Sequence, residues 1–82
     1  MIQFNFYSKL LTIVYAENLD AFFCLHPERI SMYSAKKLNF IAKIDTPNEN
    51  EHAEELVAQY IPKENVLVVG SRKSFTVYSI NS

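Results

Sequence analysis

The 82-residue chain contains one cysteine, Cys24, and one glycine, Gly70. A lone cysteine excludes an intrachain disulfide and points to a reducing compartment, the cytosol. A lone glycine leaves the left-handed backbone of tight turns to Asn, Asp or longer loops. No run of about 18 apolar residues is present, so no membrane-spanning helix is expected. The apolar start, Met1 to Ala16, lacks a basic leading region and carries Gln3, Asn5, Ser8 and Lys9, a poor fit to a secretory leader. G-x-S-x-G, H-E-x-x-H and the Rossmann fingerprint are missing as well, which disfavours an enzyme.

Charge of one sign is also scarce. The net charge of −1 argues against a protein that binds nucleic acid mainly through counterion release. The charges are nonetheless segregated. From Asp45 to Glu64 six acids face one base, giving −5, and the rest of the chain, with three acids and seven bases, is +4.

What is present suits a single core. The hydrophobic fraction is 49%, with six Phe and five Tyr, enough large side chains for one domain over residues 1–82 without a metal or disulfide. Ile2, Phe4 and Phe6 alternate with Gln3, Asn5 and Tyr7 and predict a strand with Ile2, Phe4 and Phe6 on its core face. Leu10 to Ala16 predicts a second strand, with a hairpin through Glu17-Asn18-Leu19-Asp20 into Ala21 to His26. A turn follows at His26-Pro27-Glu28-Arg29. Residues 29–37 fit either a short strand or one helical turn, and strand is the choice made. Leu38, Phe40, Ala42 and Ile44 then alternate with Asn39, Ile41 and Lys43, as in a strand. Val66 to Val69 and the segment containing Phe75 and Val77 predict a closing hairpin around Gly70-Ser71-Arg72-Lys73.

Between these runs, Thr46-Pro47-Asn48-Glu49 fits a capping box, and Ala53, Leu56, Val57, Tyr60 and Ile61 recur at helical spacing before Pro62. The expected fold class is therefore α+β: a mainly antiparallel β-sheet with one amphipathic α-helix over about 47–61 packed on one face, followed by a C-terminal β-hairpin. On that helix Glu51 and Glu55 point away from the apolar stripe, with Glu54 on its flank.

Cys24 and His26 share a strand face, yet no oxyanion-forming glycine loop accompanies them, so a buried thiol is the preferred reading over a nucleophile. A zinc site would need His52 and a carboxylate to join them without any of the usual ligand spacing. Gly70-Ser71-Arg72-Lys73-Ser74 has the amides and cations of an anion-binding turn, but it reads better as a hairpin tip. Tyr7, Tyr33 and Tyr78 fall opposite predicted core positions, where tyrosine supplies apolar area with a polar handle. With Lys43 and Thr76 nearby, such a face also suits base stacking.

The helix-to-hairpin stretch from Glu54 to Tyr78, with Val68-Val69-Gly70-Ser71-Arg72-Lys73, resembles the ending of some type I-F anti-CRISPR proteins, the small phage-encoded inhibitors. The resemblance implies a stoichiometric inhibitor that binds a host-defence nuclease complex and blocks nucleic-acid recognition. It assigns no residue roles. The resulting expectation is a cytoplasmic, non-enzymatic protein-binding module with no cofactor and no metal. Glu51, Glu54, Glu55, Tyr33 and Tyr78 are its candidate contacts with a larger protein partner. The alternative is a single-stranded nucleic-acid-binding domain using exposed Tyr with Lys43, Arg72 and Lys73, and a homodimer through an uncovered face or edge is left open.

Overall fold

The computed structural model describes residues 1–46, 57–70 and 74–80. Among the described residues seven strands follow in chain order: β1 (Thr12–Ala16), β2 (Ala21–Leu25), β3 (Arg29–Ser34), β4 (Phe40–Asp45), β5 (Val57–Ile61), β6 (Val66–Gly70) and β7 (Phe75–Ser79). They form two antiparallel meanders, β1-β2-β3-β4 and β5-β6-β7. The only helical residues described are a 3-10 turn, Glu17–Leu19, between β1 and β2.

The expected amphipathic helix is therefore corrected, and with it the α+β class: Val57–Ile61, its C-terminal part, is a strand paired with β6. Residues 47–56, with the expected Pro47 to Leu56 portion, lie outside the described residues. The pairing of Ala58 with Val69 and Tyr60 with Leu67 gives the segment a period of two, with Ala58 and Tyr60 inward and Val57, Gln59 and Ile61 outward. The turn after it accounts for the choice. Asn65 takes left-handed backbone (φ 54°) and its N–H donates to Pro62 O at 3.2 Å, closing a turn that returns the chain as β6. Thr46, expected at a helix N-cap, instead extends the β3–β4 pairing. Its N–H donates to Glu28 O at 3.1 Å and its hydroxyl to Pro27 O at 3.4 Å.

The inner faces of the two sheets share one core. Phe23, Leu25 and Ile30 from the first sheet and Tyr60, Leu67, Val69 and Ile80 from the second are buried, and the Phe23 and Tyr60 rings meet at 5.8 Å across the join. Each large apolar side chain so buried contributes about 1.5–3 kcal/mol relative to exposure. The sheets approach along β1 and β5. On the opposite side they part, leaving an apolar slot of about 130 Å³ lined by Met32, Ala42 and Ile44 with Ser79 and Ile80.

The strand expected over Ile2 to Phe6 does not form; residues 1–10 contain no strand. This segment crosses the outer face of the four-stranded sheet. Its Lys9 carbonyl accepts from His26 Nδ1 at 3.0 Å, and Phe6 meets the His26 ring edge-on at 4.9 Å. The aromatic alternation was a true stripe, but it packs on side chains outside the core. Residues 29–34 are strand, as chosen.

Candidate functional site

The outer face of the four-stranded sheet carries one aromatic residue from each strand, all in register. Tyr15 is opposite Phe22, Phe22 opposite Tyr33, and Tyr33 opposite Phe40. Tyr15 and Phe22 rings lie 5.3 Å apart and Tyr33 and Phe40 rings 5.7 Å, the latter edge-on. These separations are in the range where aromatic pairs add to simple area burial. Phe4 and Phe6 of the N-terminal segment extend the row, at 5.4 Å and 6.1 Å from Tyr33.

A single bulge completes the row. Met32 pairs with Ala42 but Tyr33 pairs with Phe40, so Ile41 is an extra residue in β4. Leu38, Phe40, Ala42 and Ile44, expected on one face, are split by it: Ala42 and Ile44 line the slot between the sheets, while Phe40 turns outward to Tyr33. Bulges re-aim a side chain in this way. The ends of the row remain open to solvent, with Tyr15 50% and Phe40 53% exposed.

The β1–β2 turn beside Tyr15 holds Glu17 and Asp20. The β3–β4 turn beside Phe40 holds Lys36 and Lys37, and the two turns touch where Ala35 N–H donates to Asp20 O at 2.8 Å. The row thus runs from an acidic to a basic corner. The Tyr15 hydroxyl donates to Asp20 Oδ1 at 3.0 Å; that bond first, then burial and the charges of Asp20 and Glu17, raises its pKa above the ordinary tyrosine value. Lys43 lies beyond Phe40 on β4 and pairs with Asp45 at 3.8 Å.

Of the sequence-predicted contacts, Tyr33 sits in the middle of the row, half-buried. Tyr78 is elsewhere: it pairs with buried Leu67 on β6 and packs against the core from the inner face of the other sheet. Tyr33 and Tyr78 are not brought together. Glu51, Glu54 and Glu55 lie outside the described residues, as do His52, Arg72 and Lys73. Tyr7 is exposed in the N-terminal segment. Sequence reasoning missed Tyr15, Phe22 and Phe40. The available signal was one aromatic per strand, with Tyr15 and Phe22 symmetric about the Glu17–Asp20 turn.

Cys24 and His26 share the outer face, as expected from their spacing, and both are buried. Burial pushes the Cys24 thiol above its ordinary pKa, which disfavours the nucleophilic thiolate. Among the described residues no three His, Cys, Asp or Glu side chains group as a metal site, and no helix is long and apolar enough to cross a membrane. Neither a protein-family model nor a curated protein nor a solved structure matches the chain.

Proposed function

We propose that the chain is a non-enzymatic protein-binding module that engages a larger partner through the Tyr15-Phe22-Tyr33-Phe40 row. The observation that carries this reading is the register itself, which sets four aromatic side chains side by side across one sheet. Tyr and Phe supply large, stiff contact area at little cost in side-chain entropy, and such residues dominate the centres of protein interfaces. The N-terminal segment adds Phe4 to the same surface. A cytosolic setting accompanies the reading, because the only cysteine is unpaired.

The likeness to phage inhibitors of nuclease complexes leaned on a helix leading into the last hairpin. With Val57–Ile61 a strand, the inhibitor reading rests instead on the aromatic row, and a host-defence nuclease complex is one partner to test. Single-stranded nucleic acid is the second reading, favoured by stackable rings next to Lys36, Lys37 and Lys43. Glu17 and Asp20 at the other end count against it, since a strand laid along the row brings phosphates toward two carboxylates.

The test compares affinity capture from host lysate by wild type and a Tyr33→Ala/Phe40→Ala variant, with folding checked by circular dichroism. Loss of a buried aromatic anchor costs about 2 kcal/mol or more, so each substitution is expected to weaken capture roughly 30-fold. A folded variant that retains the wild-type partner overturns the row as the binding surface. A low-salt mobility-shift titration separates the two readings: retardation of single-stranded DNA or RNA that this variant abolishes favours nucleic acid.

A further inference from the structure

The three-stranded sheet ends in an edge of a different kind from the other exposed edge, β4. Ile80 N–H donates to Asn65 O at 2.9 Å, so its backbone groups turn toward β6. Backbone direction alternates along an antiparallel strand, so Thr76 and Tyr78 bond β6 as well, whereas Phe75, Val77 and Ser79 direct their N–H and C=O groups away from it. Among the described residues no strand lies on that side. Edges left this way are normally guarded by charge, proline or a bulge. β4 carries Lys43, Asp45 and the Ile41 bulge; β7, Phe-Thr-Val-Tyr-Ser, has none of the three.

We propose that β7 is a strand-addition edge whose occupant is a second copy of this chain, paired antiparallel about Val77. A two-fold axis there places Val77 opposite its own copy and Phe75 opposite the copy's Ser79, so each outward backbone group meets its complement. The pairing makes one continuous six-stranded sheet from two three-stranded ones. Charge favours this occupant: among the described residues the outer face, formed by Val57, Gln59, Ile61, Val66, Val68, Phe75, Val77 and Ser79, holds no ionisable side chain, so two copies bring no like charges together across these strands. The face is also open, with Val57 74%, Phe75 71% and Val77 51% exposed, and continuing the sheet shields Phe75 and Val77 at the two-fold. A five-residue edge buries far less than the roughly 800 Å² per partner of a standard stable interface. The dimer is accordingly weak and forms only at high chain concentration. This surface is on the other sheet from the aromatic row and does not depend on what that row binds.

The experiment is sedimentation velocity on the whole chain over a concentration series from about 5 µM to about 1 mM, together with hydrogen exchange at both ends of the series. The expected result is a rise in mass from one chain toward two, with the amides of Phe75, Val77 and Ser79 gaining protection only at high concentration. Val77→Lys sets two cations face to face at the axis and is expected to raise the midpoint at least tenfold. Ser79→Pro removes an outward N–H that β6 does not use and serves as the second variant should Val77→Lys not fold. A chain that stays monomeric to about 1 mM overturns the proposal, and so does a monomer that instead adds a foreign peptide at β7. A dimer that resists both substitutions, or that Val57→Lys breaks with no protection gained at the β7 amides, shows face-to-face packing and overturns it equally.

Discussion

The outer faces of the two sheets differ in kind. On the four-stranded sheet the central side chains are aromatic and partly covered, because residues 1–10 run across it and set Phe4 and Phe6 against Tyr33 and His26. On the three-stranded sheet they are mainly aliphatic, with Phe75, Gln59 and Ser79 among them, and no described segment crosses them. An antiparallel sheet needs only one face in the core and commonly leaves the other to water. Here both outer faces keep exposed apolar side chains, beside Lys43 and Asp45 on the first sheet and Gln59 and Ser79 on the second, so the fold holds apolar surface beyond its core. Exposed apolar area of that kind marks interaction surfaces. The aromatic face, shaped by register and by a bulge, suits a specific partner, whereas the uncharged aliphatic sheet with a bare edge suits its own copy.

The comparison presupposes that both sheets are parts of one cooperative unit. Phe23→Ala is the strongest way to break that premise, because Phe23 is fully buried and touches Tyr60 of the other sheet. The expected loss is about 3–5 kcal/mol, against a total of roughly 5–15 kcal/mol for a domain. Urea unfolding followed by hydrogen exchange should show β2 and β6 amides losing protection together. Protection that survives in β5–β7 alone would mean that the sheets fold separately.

Asn65 is the next largest effect and acts only on the three-stranded sheet. Its side-chain amide donates to Ile80 O, its Oδ1 accepts from the Tyr60 hydroxyl, and its backbone is left-handed. Asn65→Ala removes both bonds and adds a steric cost at positive φ, an expected loss of about 2–4 kcal/mol in a thermal melt. Asn65→Gly keeps the backbone conformation and should fall about 1 kcal/mol short of that loss. Equal losses would place the whole effect in the hydrogen bonds.

These two positions also mark what the sequence could reveal. The hairpins flanking Glu17–Asp20 and Gly70 were legible, since each has strand-forming residues on both sides of turn chemistry. Left-handed Asp20 and Asn65 fit the expectation that a chain with one glycine turns on Asp and Asn; left-handed Leu38 was not foreseen. The region 57–61 was misread because Val57, Tyr60 and Ile61 satisfy helical spacing as well as a short strand, an ambiguity inherent in brief apolar runs. Pro62 ends either element, so it could not decide. The decisive signal was downstream, in Asn65. Of the candidate site, only Tyr33 was legible. Tyr15, Phe22 and Phe40 become neighbours through cross-strand register, and the Ile41 bulge that turns Phe40 outward has no local sequence mark.

The covering of the aromatic face gives a sharper and smaller test. Phe6→Ala removes the contacts to His26 and Tyr33. Because this residue is only partly buried, the expected loss in stability is about 1–2 kcal/mol, below that of a core aromatic. The clearer readout is Cys24, whose native alkylation rate should rise about tenfold as the segment loosens. Cys24 also has a definite pH sign. Its folded pKa is raised, so the unfolded chain ionises first and stability falls as pH rises above the ordinary thiol value, about 8.5. Alkylation in wild type should therefore stay slow at pH 8, and fast alkylation there would show that the thiol is not covered.

The smallest effect comes from Glu28, which holds the same segment from the turn between β2 and β3. Its pKa is lowered chiefly by the neighbouring Ser8 hydroxyl, against partial desolvation, with its own backbone amide, Arg29, 2.9 Å away, and His26 adding to the lowering. A depressed carboxylate contributes stability above its unfolded pKa, about 4.3, and that contribution is lost as pH falls through the lower folded value. The group is exposed, so the change in global stability is expected to be slight, but the local one should register. Between pH 6 and pH 3, hydrogen exchange at residues 4–9 should accelerate more than at β5–β7, and Glu28→Gln should remove most of that difference. Acid that loosened both regions equally would show that the covering segment is held by Phe6 and His26 alone, and that the contrast between the two outer faces does not extend to pH.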